Sequence, residues 1–402
     1  MKRIIFALTL ILTISLSYYY RSETVEANLS PNDLVVHEWG TFTSIAGRNG
    51  VAIDWRPLNG ASDLPKFVYT SAGKNGFRGN FRDPGKGMLA RVRMETPVIY
   101  FYTEREMDVD VKVNFPNGKV TEWYPQAGVV NTQYSPTQRG RFESGINWGT
   151  IRLLPNEKPN FLREVAFSHY YPARETNAVT LRVCNTDNTK IEKEKFLFYR
   201  GIGNFELPLT VKIDGKNLIL ANQKSDEIKN LIVFENRGGR IGFRFVESLS
   251  SETIVARPET SQTLAKVLIE LEKALIAQGL YAKEAKAMIE TWKDSWFEEG
   301  LRVFYVLPSV MADEILPLTV APKPKETVRV FVGRAEIITP EMEQDVKREV
   351  GLLRSTSAKV REQAQSNLKK HGRFYEPILK SILQNESNAA VRKQIQKLIE
   401  TD

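Results

Sequence analysis

The sequence predicts an α+β protein: a mainly antiparallel β-sandwich body, a helical-hairpin and sheet module, and a short α-helical tail. Three observations predict it. Short runs rich in β-branched and aromatic residues, broken by turn signals, fill residues 31–257. Apolar residues switch to helical spacing at Leu264 and keep it to Trp296. From Pro340 the chain is polar, helical and internally repetitive.

Residues 1–27 have the layout of a secretory signal peptide. Lys2 and Arg3 precede an apolar run from Ile4 to Leu16, and Ser15-Leu16-Ser17 or Val25-Glu26-Ala27 supplies a small-x-small cleavage pattern. The run is shorter than the ~20 apolar residues that span a bilayer comfortably. The expectation is therefore an exported protein, periplasmic or extracellular, with an uncleaved N-terminal anchor in the inner membrane as the alternative. Cys184 is the only cysteine, so no intramolecular disulfide forms, and it lies too far from the cleavage region to carry a lipid anchor.

The β-rich region is expected over 28–257. Asp33–Ser44, Val92–Thr103, Met107–Phe115 and Lys119–Tyr124 read as strands. In the third, Val109, Val111, Val113 and Phe115 alternate with polar residues, which gives one wet and one buried face. Asn117-Gly118, Asp214-Gly215 and Gly238-Gly239 mark hairpin turns. The module over 258–339 pairs two amphipathic helices, with Gly279 as the stop between them, and adds strands at Leu301–Leu307 and Thr327–Ile338. In the tail, 340–402, Val360-Arg361-x-Gln363-x-Gln365 recurs as Val391-Arg392-x-Gln394-x-Gln396. That period resembles HEAT-like repeats. Only about one and a half repeats fit, so the tail is expected to dock on the preceding domain and to offer a surface to a protein partner.

Formal charge is +8 over 402 residues, and its distribution matters more than its total. Residues 66–93 hold Lys66, Lys74, Arg78, Arg82, Lys86, Arg91 and Arg93 against the single acid Asp83. Glycines and the aromatics Phe77 and Phe81 interleave with these cations. Lys74, Arg78, Arg82, Lys86 and Arg91 are the candidate anion-binding residues, and a mobile solvated loop is the plainer reading. For an exported chain the fitting partner is an anionic envelope polymer or lipid surface, and nucleic acid is not expected.

The candidates for catalysis are His37 with Glu38, and Glu298, which stands four residues after Asp294. On a strand, His37 and Glu38 point to opposite faces and cannot ligate one metal together. Like charges at i and i+4 cost a few tenths of a kcal/mol unless a metal, a shared proton or a cation compensates. Lys293 and Arg302 are the plainer compensation for Asp294 and Glu298. The three histidines share no metal-type spacing, and the G-x-S-x-G, P-loop and dinucleotide fingerprints are missing. No metal or cofactor is therefore expected. Trp39, Trp55, Trp123 and Trp148 suit a sandwich core or a sugar platform.

The stretch Val36-His37-Glu38-Trp39-Gly40-Thr41-Phe42-Thr43 resembles the opening of an uncharacterised family of exported bacterial proteins. Asp54-Trp55-Arg56-Pro57-Leu58, Arg93-Met94-Glu95-Thr96-Pro97 and Phe198-Tyr199-Arg200-Gly201-Ile202-Gly203 extend the resemblance. It implies export and multi-domain character, and it assigns no activity. The reading that follows is an envelope binding or assembly component. Its rival is a hydrolase of unfamiliar type built on His37 with nearby carboxylates.

Overall fold

The computed structural model describes residues 33–59, 63–71, 88–134, 142–164, 167–184 and 190–401. The first strands are β1 (Val35–Ala46), β2 (Tyr69–Thr70), β3 (Val92–Tyr102), β4 (Met107–Phe115), β5 (Gly118–Tyr124), β6 (Val129–Tyr134) and β7 (Phe142–Leu154). Next come β8 (Thr180–Cys184), β9 (Ile191–Glu194), β10 (Leu197–Gly203), β11 (Leu209–Asp214), β12 (Asn217–Asn222), β13 (Ile228–Arg237), β14 (Arg240–Leu249) and β15 (Glu252–Ala256). Helices α1 (Leu264–Ala277) and α2 (Ala282–Trp296) then lead into β16 (Gly300–Val306), α3 (Ser309–Ile315), β17 (Leu318–Ala321) and β18 (Glu326–Ile337). The chain closes with α4 (Pro340–Leu352), α5 (Ala358–Lys369), α6 (Tyr375–Asn385) and α7 (Ala389–Thr401). The fold class is α+β, as the patterning predicts.

Three sheets form the body. Nine strands run in the order β14-β13-β16-β18-β1-β3-β10-β5-β2, six more gather around β4 and β7, and β11-β12-β15 make a small third sheet. Among the described residues, pairing is antiparallel except between β1 and β18, which run parallel with Val35 opposite Glu326. A parallel neighbour joins two segments far apart in sequence, and no hairpin announces it. All twelve residues of β1 are buried, as befits a strand covered on both faces.

Each face of the nine-stranded sheet has its own core. Val36 and Phe42 of β1 pack with Val109, Val111 and Val113 of β4 and Ile146 and Ile151 of β7, which makes the sandwich. Val35 and Trp39 pack on the other side with Leu271, Leu275, Met288, Trp292 and Trp296 of the helical hairpin. The hairpin turns at Gly279, whose φ of +104° suits a residue without a Cβ. Trp39, Trp55 and Trp148 are buried, so three of the four tryptophans considered for a sugar platform are core.

The tail docks on one end of the body. Thr339 caps α4 by accepting from the Met342 amide at 3.3 Å, and Pro340 opens the helix. Val346, Val350, Leu368, Ile378, Leu379 and Ile395 enclose Ile45 and Trp55 of the body in a third core. Ile53 and Ile338, partly buried, pack against the same core from the body side.

Candidate anion-binding cleft

The junction between body and tail holds two clefts, of ≈ 600 Å³ and ≈ 390 Å³, which share Gly372 and Arg373. These two residues sit in a short 3-10 turn, Gly372–Phe374, between α5 and α6. Gly372 has φ +53°, a left-handed conformation that costs a residue with a Cβ about 1–2 kcal/mol. Phe374 and Tyr375 are held in the third core, which leaves Arg373 directed at the body.

Three guanidinium groups from separate segments converge on the smaller cleft: Arg56, Arg93 and Arg373. A ladder between the first two segments sets their spacing. The Trp55 amide donates to the Ala90 carbonyl and the Ala90 amide donates back, both at 3.0 Å. The Trp55 indole also donates to the Arg91 carbonyl at 3.2 Å. Arg93 stands on β3, just beyond this ladder.

Carboxylates balance the arginines incompletely. Arg373 donates to Glu298 Oε1 at 2.6 Å, and Arg334 donates to the same oxygen at 2.8 Å. By contrast, Arg56 lies 3.6 Å from Glu376, and Arg93 lies 3.4 Å from Glu95. Those separations are ion pairs beyond hydrogen-bond length. Arg56 Nε has no hydrogen-bond partner among the described residues. Arg56 Nη1 already donates to the Ile399 carbonyl and its Nε is enclosed, so the donors left for an incoming oxyanion are the remaining N–H groups of Arg56 and those of Arg93, out of the five a guanidinium carries.

Beneath the clefts lies a buried charge network. Glu336 meets Arg302 Nε at 3.2 Å, Arg373 at 3.5 Å, and Arg334 in a shorter contact. Burial acts to raise the Glu336 pKa, but Arg302, Arg334 and Arg373 outweigh it and hold the group at about 2. Glu95 follows the same logic: burial opposes, Arg93, Arg334 and Arg373 prevail, and its pKa falls. Both carboxylates are therefore anionic at neutral pH and fix the arginines above them.

The candidates named from the sequence separate in space. Lys74, Arg78, Arg82 and Lys86 lie outside the described residues. Arg91 is exposed and lies 3.6 Å from exposed Asp54, next to the ladder that positions Arg93. Glu298 lines the larger cleft. Its i, i+4 neighbour Asp294 turns away to the ring of His169, so each carboxylate finds its own cation. The compensating groups are thus His169, Arg334 and Arg373, whereas Lys293 pairs with Glu290 and Arg302 with Glu336.

His37 and Glu38 do face opposite ways, and both are sealed. His37 Nδ1 lies 2.7 Å from Glu284 Oε2, with the rings of Tyr281 and Tyr102 against it and 1% of the residue exposed. Glu284 also accepts from Tyr102 at 2.8 Å and from the Tyr281 amide at 2.8 Å. On the opposite face, Glu38 accepts from Tyr199 and from Arg329, each at 2.6 Å. These contacts tie the central strand to α2, β10 and β18. In this arrangement they are structural anchors, and neither side chain lines the two clefts at the junction.

Sequence reasoning passed over a second polar cluster. His169 Nδ1 lies 2.8 Å from Asp63 and its Nε2 lies 2.8 Å from Asp294, while Arg200 grips Asp63 with two bonds at 2.7 and 2.9 Å. Burial acts to lower the His169 pKa, but the two carboxylates prevail and raise it. Asp63 is driven well below the usual carboxylate range: burial opposes, but the Arg200 charge and hydrogen bonds prevail, with His169 adding a bond.

No family model matches the chain, and no curated protein matches it. Among solved structures, the Fcho1 Mu homology domain from Danio rerio with a bound Eps15 peptide is 7% identical, with a TM-score of 0.28, covering 76% of this chain and 97% of that one. The yeast delta-COP-I mu-homology domain complexed with a Dsl1 WxWxV peptide is 8% identical, with a TM-score of 0.27, covering 77% of this chain and 100% of the other. Likeness at that level assigns no role to this chain.

Proposed function

We propose that this protein is an exported binding component of the cell envelope that captures a phosphate-bearing anionic partner at the body–tail junction. The observation that carries the reading is the convergence of Arg56, Arg93 and Arg373 on one cleft, two of them with carboxylates beyond hydrogen-bond length. Guanidinium groups suit phosphate oxyanions because their planar N–H pairs match two oxygens at once. Arg93 closes the most basic stretch of the sequence, so that stretch delivers its described end to the cleft. The signal-like N-terminus directs the choice of partner toward the envelope.

Calorimetric titration with a soluble poly(glycerol phosphate) chain, alongside sedimentation with phosphatidylglycerol vesicles, tests the proposal and separates a polymer from a lipid surface. Binding is expected to weaken as salt rises. Arg56→Gln and Arg93→Gln are each expected to lower affinity about tenfold. Unchanged affinity in the double variant would overturn the assignment of the site.

A further inference from the structure

We propose that a ligand carrying adjacent phosphoryl groups acts as a clamp that holds the α4–α7 tail on the β body. The inference rests on the binding reading above and adds a mechanical consequence to it. The smaller cleft has two walls of different origin. Arg56 and Arg93 belong to the body, whereas Arg373, Tyr375 and Glu376 belong to the tail. A ligand that touches all three arginines engages both walls, and it finds its complete set of donors only when the tail is docked.

The junction is built so that such a contact counts. Its shared apolar core draws Ile45 and Trp55 from the buried residues of the body. The polar ties across it include Arg373 to Glu298 at 2.6 Å and to Glu336 at 3.5 Å, Arg48 to Glu343 at 2.8 Å, Arg257 to Glu341 at 2.8 Å, and Arg56 to the Ile399 carbonyl. Three guanidinium groups brought together repel one another, and the carboxylates beside two of them stand off at 3.4 and 3.6 Å. An oxyanion between the walls converts that repulsion into attraction. Because the ligand binds the docked arrangement in preference to the undocked one, linkage lowers tail opening by a factor of 1 + [L]/Kd, about 100-fold at a hundred times Kd. A chain of phosphoryl groups offers more oxygens than a single phosphate to share between the two walls, so it is the better clamp.

Hydrogen exchange of the full-length chain, with and without inorganic tripolyphosphate, reads this directly. At saturation, amides of residues 340–401 that exchange by tail opening are expected to slow about 100-fold. Amides of β4 and β7, whose residues line neither cleft, are expected to change less than about twofold. A parallel arm with poly(glycerol phosphate) separates polymer-borne phosphodiesters from free polyphosphate as the source of the same chemistry. Heat of binding without slower exchange in 340–401 would overturn the clamp and leave the site standing. No heat of binding with either probe would overturn both. Arg373→Gln, compared at matched saturation, is expected to bind about tenfold more weakly and to lose the added protection. Protection that persists in Arg373→Gln would also overturn the clamp. Arg244→Gln, an exposed position on β14, is expected to behave as the parent. The comparison of the unaltered chain with and without ligand stands even where Arg373→Gln alone loosens the tail.

Discussion

Glu336 is the sharpest place to test how the junction is held. It is fully buried, as are Arg302 and Arg334 beside it, and Arg373 reaches in from the tail. Its pKa falls from an ordinary 4.5 to about 2. At about 1.36 kcal/mol per pH unit, that drop corresponds to about 3 kcal/mol of native-state stabilisation at neutral pH. The folded-state value is depressed, so the contribution is present in full above about pH 4.5 and is lost as pH falls through 2. Glu336→Gln keeps the shape, removes the charge and leaves three arginines facing a neutral amide. Breaking one side of a buried pair typically costs about 3–5 kcal/mol, which agrees with the linkage figure. Urea denaturation of parent and variant at pH 7, 5 and 3 supplies the assay. The gap between them should be about 3 kcal/mol at both pH 7 and pH 5 and should shrink only below about pH 4.5, so that it is clearly smaller at pH 3. A gap below about 1 kcal/mol at pH 7, or one indifferent to pH, would refute the reasoning, because then the arginines do not depend on Glu336.

Three further outcomes follow from the same geometry. His169 has a raised pKa between Asp63 and Asp294, so its contribution is complete below about pH 6.5 and is lost as pH rises through the folded-state value. Asp294→Asn should therefore cost about 0.5 kcal/mol at pH 6 and less at pH 9, read from melting curves at both values. Gly333→Ala places a Cβ 2.0 Å from the Tyr305 ring in the middle of the large sheet, and overpacking of about 1–3 kcal/mol should appear as a lower denaturation midpoint. His37→Phe removes a partner of buried Glu284, and a loss of about 1–3 kcal/mol is expected in the same assay.

Local pattern was readable wherever one strand or helix carries its own signal. The alternation in Met107–Phe115 became β4 with one wet face, and Asp214-Gly215 became the β11–β12 turn. The stripe from Leu264 to Leu275 became α1. What the sequence hid is long-range. Nothing in either segment announces that β1 lies parallel to β18, since a central strand reads as apolar whichever neighbour it takes. That pairing also makes β16 and β18, from the 258–339 stretch, neighbours of β13 and β1 in one sheet. None of the three arginines of the proposed site was among the anion-binding candidates named from the sequence. Charge density pointed to the stretch ending at Arg93, and the motif around Trp55 included Arg56. Arg373 escaped notice because a lone arginine in a polar helical tail looks like any solvated cation; only Gly372 beside it hinted at a turn. His169 escaped because its partners stand 106 and 125 residues away.

The measurement closest to the central claim is the position of a bound oxyanion in a crystal of the full chain soaked with tungstate, an electron-dense phosphate analogue. The account predicts anomalous density from the tungsten about 4 Å from guanidinium nitrogens of Arg56, Arg93 and Arg373, one metal–oxygen bond beyond hydrogen-bond length. Density confined to other surface cations, with that cleft unoccupied at saturating tungstate, would contradict it.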